Sequence, residues 1–358
     1  MMRLLRASKA SVLAQVLAFF CLLLLEGVVD DAVLKNLFIL LGLQRFSNLA
    51  CGLRLELVSK INVWLMLLAT AIMSFGFVQF LYLVEKYSTW SLLEKSSSSY
   101  FEIVVFFFAS TVWNFVNFRA ACLEWREALL IRVFRPTLFL CLILAIYFEA
   151  IPKNYLIWCV SISFILPAFG FLSKVLRSDK IGLISWERNY FVLNFLFSIF
   201  YLFLDIYVVV SIVDSKNYVE AFVFYRVLTV ITTSLASNHR AIHIFTEGHG
   251  ISGTLVSRCV GLLMALAAII VLNIDISDSE FLIFLLILLF LTTSRLYFSI
   301  VSSEMMKLQN YTFVISAIIL ALAVNIALLL GYVGWQSVLA VPTALALIAI
   351  LLSRSERA

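Results

Sequence analysis

Arg45 and Arg226 each interrupt a long apolar run. A guanidinium in such a place offers a planar, permanently charged fork suited to phosphate or carboxylate. Arg45 stands about twelve residues into the run 33–53, near its middle and too deep for its stem to reach water easily. A charge at that depth costs about 3 kcal/mol on insertion scales, so it must face a partner or a polar cavity. Asp205 lies about eight residues from the end of the run 189–213, and Arg226 about eight into the run 218–240. At 1.5 Å per residue both are roughly 12 Å deep on antiparallel neighbours joined by a tight turn, so they can pair. One reading is a structural ion pair that pins the hairpin. The other is a coupling device, in which Asp205 takes H+ or Na+ and so releases Arg226 for an anion.

Polar residues at helical spacing extend these positions into stripes. Asn194, Ser198, Tyr201 and Asp205 share one face, and Arg226, Thr229, Thr233, Ser237 and Arg240 share another. Gln15 and Glu26 align on the first apolar run, and Arg45, Asn48 and Gly52 on the second. On the fourth, Ser110, Asn114, Asn117 and Ala121 line up, with Arg119 near its end. Such stripes read either as cavity lining or, for the Ser and Thr members, as polar glue between helices. The candidate anion-binding set is Arg45, Asn48, Asn114, Asn117, Arg119, Arg226 and Arg240; the candidate ion-coupling set is Asp205, Glu26 and Asn194. Neither an HExxH nor a CxxC spacing is present, and His239 with His243 at i, i+4 fits a solvated helix end, so neither metal nor cofactor is expected. Without a GxxxxGK[ST] loop the chain carries no ATPase of its own.

The elements that must position these residues are transmembrane helices. Hydrophobic residues make up 63% of the 358 and charged residues 13%, and mean hydropathy is +1.07; no soluble domain of this size hides so much apolar surface. Twelve spans are expected, at 10–28, 33–53, 61–83, 101–119, 134–151, 154–174, 189–213, 218–240, 254–273, 281–299, 311–330 and 335–352. With the N-terminus in the cytoplasm, alternate turns collect most of the 26 basic residues, among them Arg54, Lys60, Arg126, Arg132, Arg135, Lys174, Arg188 and Arg258. The opposite turns hold Asp30, Asp31, Asp214, Asp275, Asp278 and Glu280, a bias that places both termini inside. Loops reach only about 17–18 residues, as at 84–100, so no extramembrane domain is expected. The net charge of +5 fits basic rims against anionic membrane lipids and gives no reason to invoke nucleic acid. All six cysteines fall inside spans or at their cytoplasmic ends, as free packing thiols. The basic-then-apolar start lacks a small-x-small cleavage site and reads as an uncleaved first span.

The chain repeats its plan at an offset of roughly half its length. Gln15 and Glu26 answer Asn194 and Asp205; Arg45 answers Arg226; Arg119 and Glu127 answer Arg295 and Glu304; Leu172-Ser173-Lys174 answers Leu352-Ser353-Arg354. Six spans per half is an even number, so the halves are parallel repeats about an axis along the membrane normal. The expected architecture is an all-α bundle of two six-helix lobes, 1–176 and 189–358, joined by a basic cytoplasmic linker at 177–188.

Three segments carry a family resemblance. The stretch Asp205 to Asp214 followed by Tyr218 and Phe224-Tyr225-Arg226, the final hairpin with Gly331 and Gly334, and the turn with Glu124, Arg126, Arg132, Arg135 and Pro136 resemble polysaccharide-unit (O-antigen type) flippases. These belong to the multidrug and oligosaccharidyl-lipid exporter superfamily. The resemblance implies two six-helix lobes around a central cavity. It also implies translocation of a polyprenyl-pyrophosphate-linked oligosaccharide across the bacterial inner membrane by alternating access, with polysaccharide assembly proteins as partners. Rival readings are a multidrug or cation antiporter of the same superfamily, which predicts carboxylates rather than arginines at depth, and a polymerase or ligase, which needs a large outward loop. A membrane glycosyltransferase is a third, for which Asp30-Asp31 would be the acidic pair.

Overall fold

The computed structural model describes residues 13–52, 62–87, 99–176 and 218–229, apart from single positions and side chains within them, and scattered positions from 212 to 323. Most of the expected spans from 189 onward lie outside the described residues, as do the linker 177–188, Asn194, Asp205, Arg240 and the side chain of Arg45. The chain divides into two compact units, Met1–Val213 and Asp214–Ala358.

The first unit is helical throughout its described length. An apolar stretch, Val16–Glu26 (α1), breaks at Gly27 and is followed by Asp31–Ala50 (α2), Val63–Tyr87 (α3), Tyr100–Leu123 (α4), Trp125–Tyr147 (α5), a 3-10 turn at Lys153–Tyr155 and Leu156–Leu176 (α6). The starts of α3 and α4 are capped by local side chains. The Asn62 side-chain oxygen accepts from the Trp64 and Leu65 amides at 2.9 and 3.4 Å, capping α3. Ser99 and Glu102 form a reciprocal capping box on α4: the Ser99 amide donates to Glu102 Oε2 at 2.8 Å, and the Glu102 amide to Ser99 Oγ at 3.3 Å. At the end of α5, Glu149 takes φ 60°. The Ala150 amide then reaches the Ala145 carbonyl at 2.9 Å and the Glu149 amide the Ile146 carbonyl at 3.0 Å, the paired bonds of a left-handed C-terminal cap.

Cross-helix contacts give the relative directions. Tyr82 late in α3 stacks on Tyr100 at the start of α4, and Met66 early in α3 packs with Val112, Val116 and Ala120, so α3 and α4 are antiparallel. Phe101 meets Trp158 and Phe106 meets Phe164, so α4 and α6 are parallel. Helix α4 is the hub, packed against α2, α3, α5 and α6. Its core partners include Met66 of α3, Ile131 of α5 and Ala168 and Leu172 of α6, around its own Val112, Phe115, Val116 and Ala120.

Among the described residues four helices are long and apolar enough to cross a membrane, within α3, α4, α5 and α6. Their burial differs: 50 and 56% for the α4 and α6 segments, against 28% for α3 and α5. The exposed side of α3 carries Trp64, Leu65, Leu68, Ile72, Phe75 and Leu83, a continuous apolar face suited to lipid.

One boundary, the start of α5, differs from the expected residue 134 by nine residues. The sequence placed Arg126 and Arg132 in a cytoplasmic turn before a span at 134–151, with Arg135 and Pro136 at that span's cytoplasmic edge. Helix α5 instead starts at Trp125 and carries all four residues within it. Arginine is a good helix former, and a buried face formed by Ile131, Phe139, Ile143 and Ile146 runs along this helix. Pro136 is accommodated within α5 because neighbouring helices can re-satisfy the backbone group it frees.

Candidate functional site

Polar residues of α2 and α5 meet α4 at two places. At the C-terminal end of α2, Asn48 Oδ1 accepts from the hydroxyls of Ser110 and Thr111 at 3.2 and 3.4 Å. Ser110 and Thr111 are fully buried, and Ser110 Oγ also reaches the Phe107 carbonyl at 3.1 Å. This part of the α2–α4 stripe is therefore interhelical glue, the alternative the sequence left open. Beside it the chain passes close to itself: a Cβ on Gly52 would stand 2.5 Å from the Asn48 carbonyl oxygen and 3.4 Å from Thr111 Cγ2.

Further along α4, Asn117 Oδ1 accepts from Arg132 Nε of α5 at 2.8 Å. One turn on, the Arg135 guanidinium lies 3.6 Å from the Phe164 ring centre and 5.1 Å from that of Trp113. The two rings meet edge to face at 5.8 Å. Trp113 is about 20 Å along α4 from Tyr100 at 1.5 Å per residue, so Arg135 sits at the mid-length of that helix and not at its rim. An aromatic face gives a guanidinium about 2 kcal/mol of attraction when desolvated, which offsets much of the cost of holding it there.

Arg119 was expected near the cytoplasmic end of the fourth apolar run. It is 2% exposed, with its guanidinium 5.4 Å from the ring centre of Phe115 one turn earlier. Its long side chain folds back along α4 beneath the packed neighbours, so it is enclosed among the described residues. Asn114 and Asn117 are half-buried on the same side of α4. Glu26 is exposed at the end of α1, apart from these contacts.

In the second unit, residues 218–229 are helical and Arg226 is half-buried. Thr229 Oγ1 lies 2.9 Å from the Tyr225 carbonyl and 3.0 Å from that of Arg226, so its hydroxyl serves its own helix. Thr232 does the same toward Leu228 and Thr229.

The geometry thus joins Asn48 to Ser110 and Thr111, and Asn117 to Arg132. Sequence reasoning missed Arg132 and Arg135 as interior cations, and Trp113 and Phe164 as the rings that hold one of them. The available signal was the buried periodicity Ile131, Phe139, Ile143 and Ile146, which continues back through both arginines at helical spacing. Among the described residues no group of three or more His, Cys, Asp or Glu side chains could hold a metal ion. Cys21, Cys51, Cys141 and Cys159 are free thiols; all but Cys141 are buried.

No family model and no curated protein matches the chain. Among solved structures it is similar to DinF-BH, a MATE multidrug transporter in complex with R6G, with 15% identity and a TM-score of 0.59 over 98% of this chain and 94% of that one. A second structure, described only as "protein A", gives 16% identity and a TM-score of 0.54 over 97% of this chain and 94% of that one. The likeness at such identities is one of fold. The chain is helical among the described residues, and its fold is similar to that of this transporter.

Proposed function

We propose that the chain is a flippase that moves a polyprenyl-pyrophosphate-linked oligosaccharide across the bacterial inner membrane by alternating access. The observation that carries this reading is the occurrence of interior guanidinium groups on a MATE-type fold, because an anionic head group needs cations where a cationic drug needs carboxylates. In this proposal Arg45, Asn114, Asn117, Arg226 and Arg240 receive the pyrophosphate and first sugars, while Asn48, bonded to Ser110 and Thr111, and the enclosed Arg119 hold the helices around them. Asp205, with Glu26 and Asn194, couples the cycle to H+ or Na+. Protonation of Asp205 releases Arg226 to the anion, and the returning charge displaces it. The lobes 1–176 and 189–358 rock about the linker 177–188, with both termini cytoplasmic and the prenyl tail remaining in lipid.

Likeness to a structure holding R6G supports a second reading, a multidrug antiporter. Proteoliposomes separate the two. We expect inward-facing fluorescent polyprenyl-pyrophosphate glycan to become accessible outside, with no gradient-driven movement of R6G. Arg45→Ala should abolish flipping at unchanged protein level, and Arg45→Lys should restore part of it, keeping the charge but losing the fork. R6G efflux without glycan movement would establish the drug exporter instead.

A further inference from the structure

We propose that the turn joining α5 to α6 is a binding surface for a membrane lipid whose zwitterionic head group carries a primary ammonium. Glu149 takes the ammonium, Lys153 the phosphate, and exposed aromatic rings the part of the lipid just below. Two observations set this turn at head-group level. The segments Leu130–Tyr147 and Lys153–Leu172, each long and apolar enough to cross a membrane, end and begin there. Tyr147, Phe148 and Tyr155 are exposed around the turn, Phe148 to 73%, and at the same end of the bundle Phe101 of α4 meets Trp158 of α6. A phenylalanine that open is stable against lipid rather than water, and rings with a polar edge favour the membrane–water boundary. The exposed apolar surface continues along both helices, through Leu144 of α5 and Ile162 and Leu166 of α6. The turn therefore adjoins faces that lipid covers.

An aromatic rim and a lysine suit any membrane boundary; the carboxylate is what narrows the ligand. Glu149 holds φ 60°, in the left-handed region that glycine enters freely and a residue with a Cβ does not. The Ala150 and Glu149 amides fix that conformation through their bonds to the Ala145 and Ile146 carbonyls. A glutamate at a position better suited to glycine, facing a layer of lipid phosphates that repel it, points to a cationic ligand. Lys153 is exposed four residues on, yet among the described residues no ion pair joins the two. A head group that carries both an ammonium and a phosphate answers both charges at once. A primary ammonium also donates charge-assisted N–H bonds to the carboxylate, which a quaternary one cannot. The Lys153 ammonium has three donors for the phosphate.

The test uses the full chain purified in detergent and stripped of lipid. It is titrated with phosphatidylethanolamine, phosphatidylcholine and phosphatidylglycerol of identical acyl chains, with retention read by native mass spectrometry. Wild type should retain phosphatidylethanolamine about tenfold over the other two, the fold-change that one charged hydrogen bond gives. Glu149→Gln should bring that preference to about unity, and Lys153→Gln should weaken all three phospholipids alike. Both side chains are exposed, so the variants fold, and lipid held elsewhere on the chain contributes equally to each. Glu149→Gly separates binding from strain: it should melt above wild type without lipid, yet gain less than wild type when phosphatidylethanolamine is added. An undiminished gain would overturn the site. So would equal retention of phosphatidylethanolamine and phosphatidylcholine by wild type, or a preference unchanged in Glu149→Gln. A dimer that Phe148→Ser dissociates would instead assign the turn to a second copy of the chain, and the lipid assignment would fail.

Discussion

Gly52→Ala tests the close passage at the end of α2 most directly. The added methyl group would stand 2.5 Å from the Asn48 carbonyl oxygen, well inside van der Waals contact, and 3.4 Å from Thr111 Cγ2. Backbone must therefore shift, and the backbone concerned belongs to Asn48, which holds Ser110 and Thr111 of α4. Overpacking of this kind costs about 1–3 kcal/mol. Gly76 on α3 and Gly170 on α6 provide the control, since nothing lies within 4 Å of a Cβ built there. Alanine at those two sites should be neutral or stabilise by up to about 1 kcal/mol, the helix-propensity difference. The assay is loss of the monodisperse chromatographic peak on heating in detergent, at one fixed heating rate because such unfolding is irreversible. Gly52→Ala should melt several degrees below wild type, and the two controls at or above it. Adding Thr111→Ser removes Cγ2 and relieves only the looser contact, so it should not rescue. Gly52→Ala melting with the controls would refute the close passage, and full rescue by Thr111→Ser would move the strain from α2 itself to the α2–α4 contact.

Three further outcomes are expected. Glu149→Gly should stabilise by about 1 kcal/mol in the same melt, because glycine enters the left-handed region without the penalty a Cβ brings; a lower melting point would contradict the cap at the end of α5. Ser99→Ala should destabilise by about 1 kcal/mol and Glu102→Gln by less, since glutamine also completes a capping box; equal effects would argue for charge rather than the reciprocal bonds. In a chain freed of its six cysteines, Lys153→Cys should react with an impermeant maleimide on intact cells and Asn62→Cys should not, the reverse pattern inverting the expected orientation.

Helices α2, α3, α4 and α6 were legible because each is an apolar run bounded by polar turns, and their observed ends fall within a few residues of the expected ones. The start of α5 was not. Hydropathy averages over a window, and it scores a guanidinium held on Phe164 like one in water, so Arg132 and Arg135 passed for loop residues. The partners of Asn48 and Asn117 were equally out of reach, since they depend on the register between helices, which no single-helix periodicity encodes. Both positions lie on polar stripes that the sequence shows. Whether a stripe lines a cavity or joins two helices was decided by what stood opposite.

The enclosed position of α4 has a consequence for how freely this sequence can drift. A side chain on the open face of α3, such as Leu68 or Ile72, needs only to be apolar, so many replacements satisfy it equally. A side chain of α4 meets four neighbouring helices and must match their shapes as well. Phe106, Val112 and Val116 leave no room for a larger residue and no solvent to fill the gap left by a smaller one. Saturation mutagenesis should therefore draw the lipid boundary of the first unit as a map of tolerance, permissive along the open face of α3 and restrictive along the buried faces of α4.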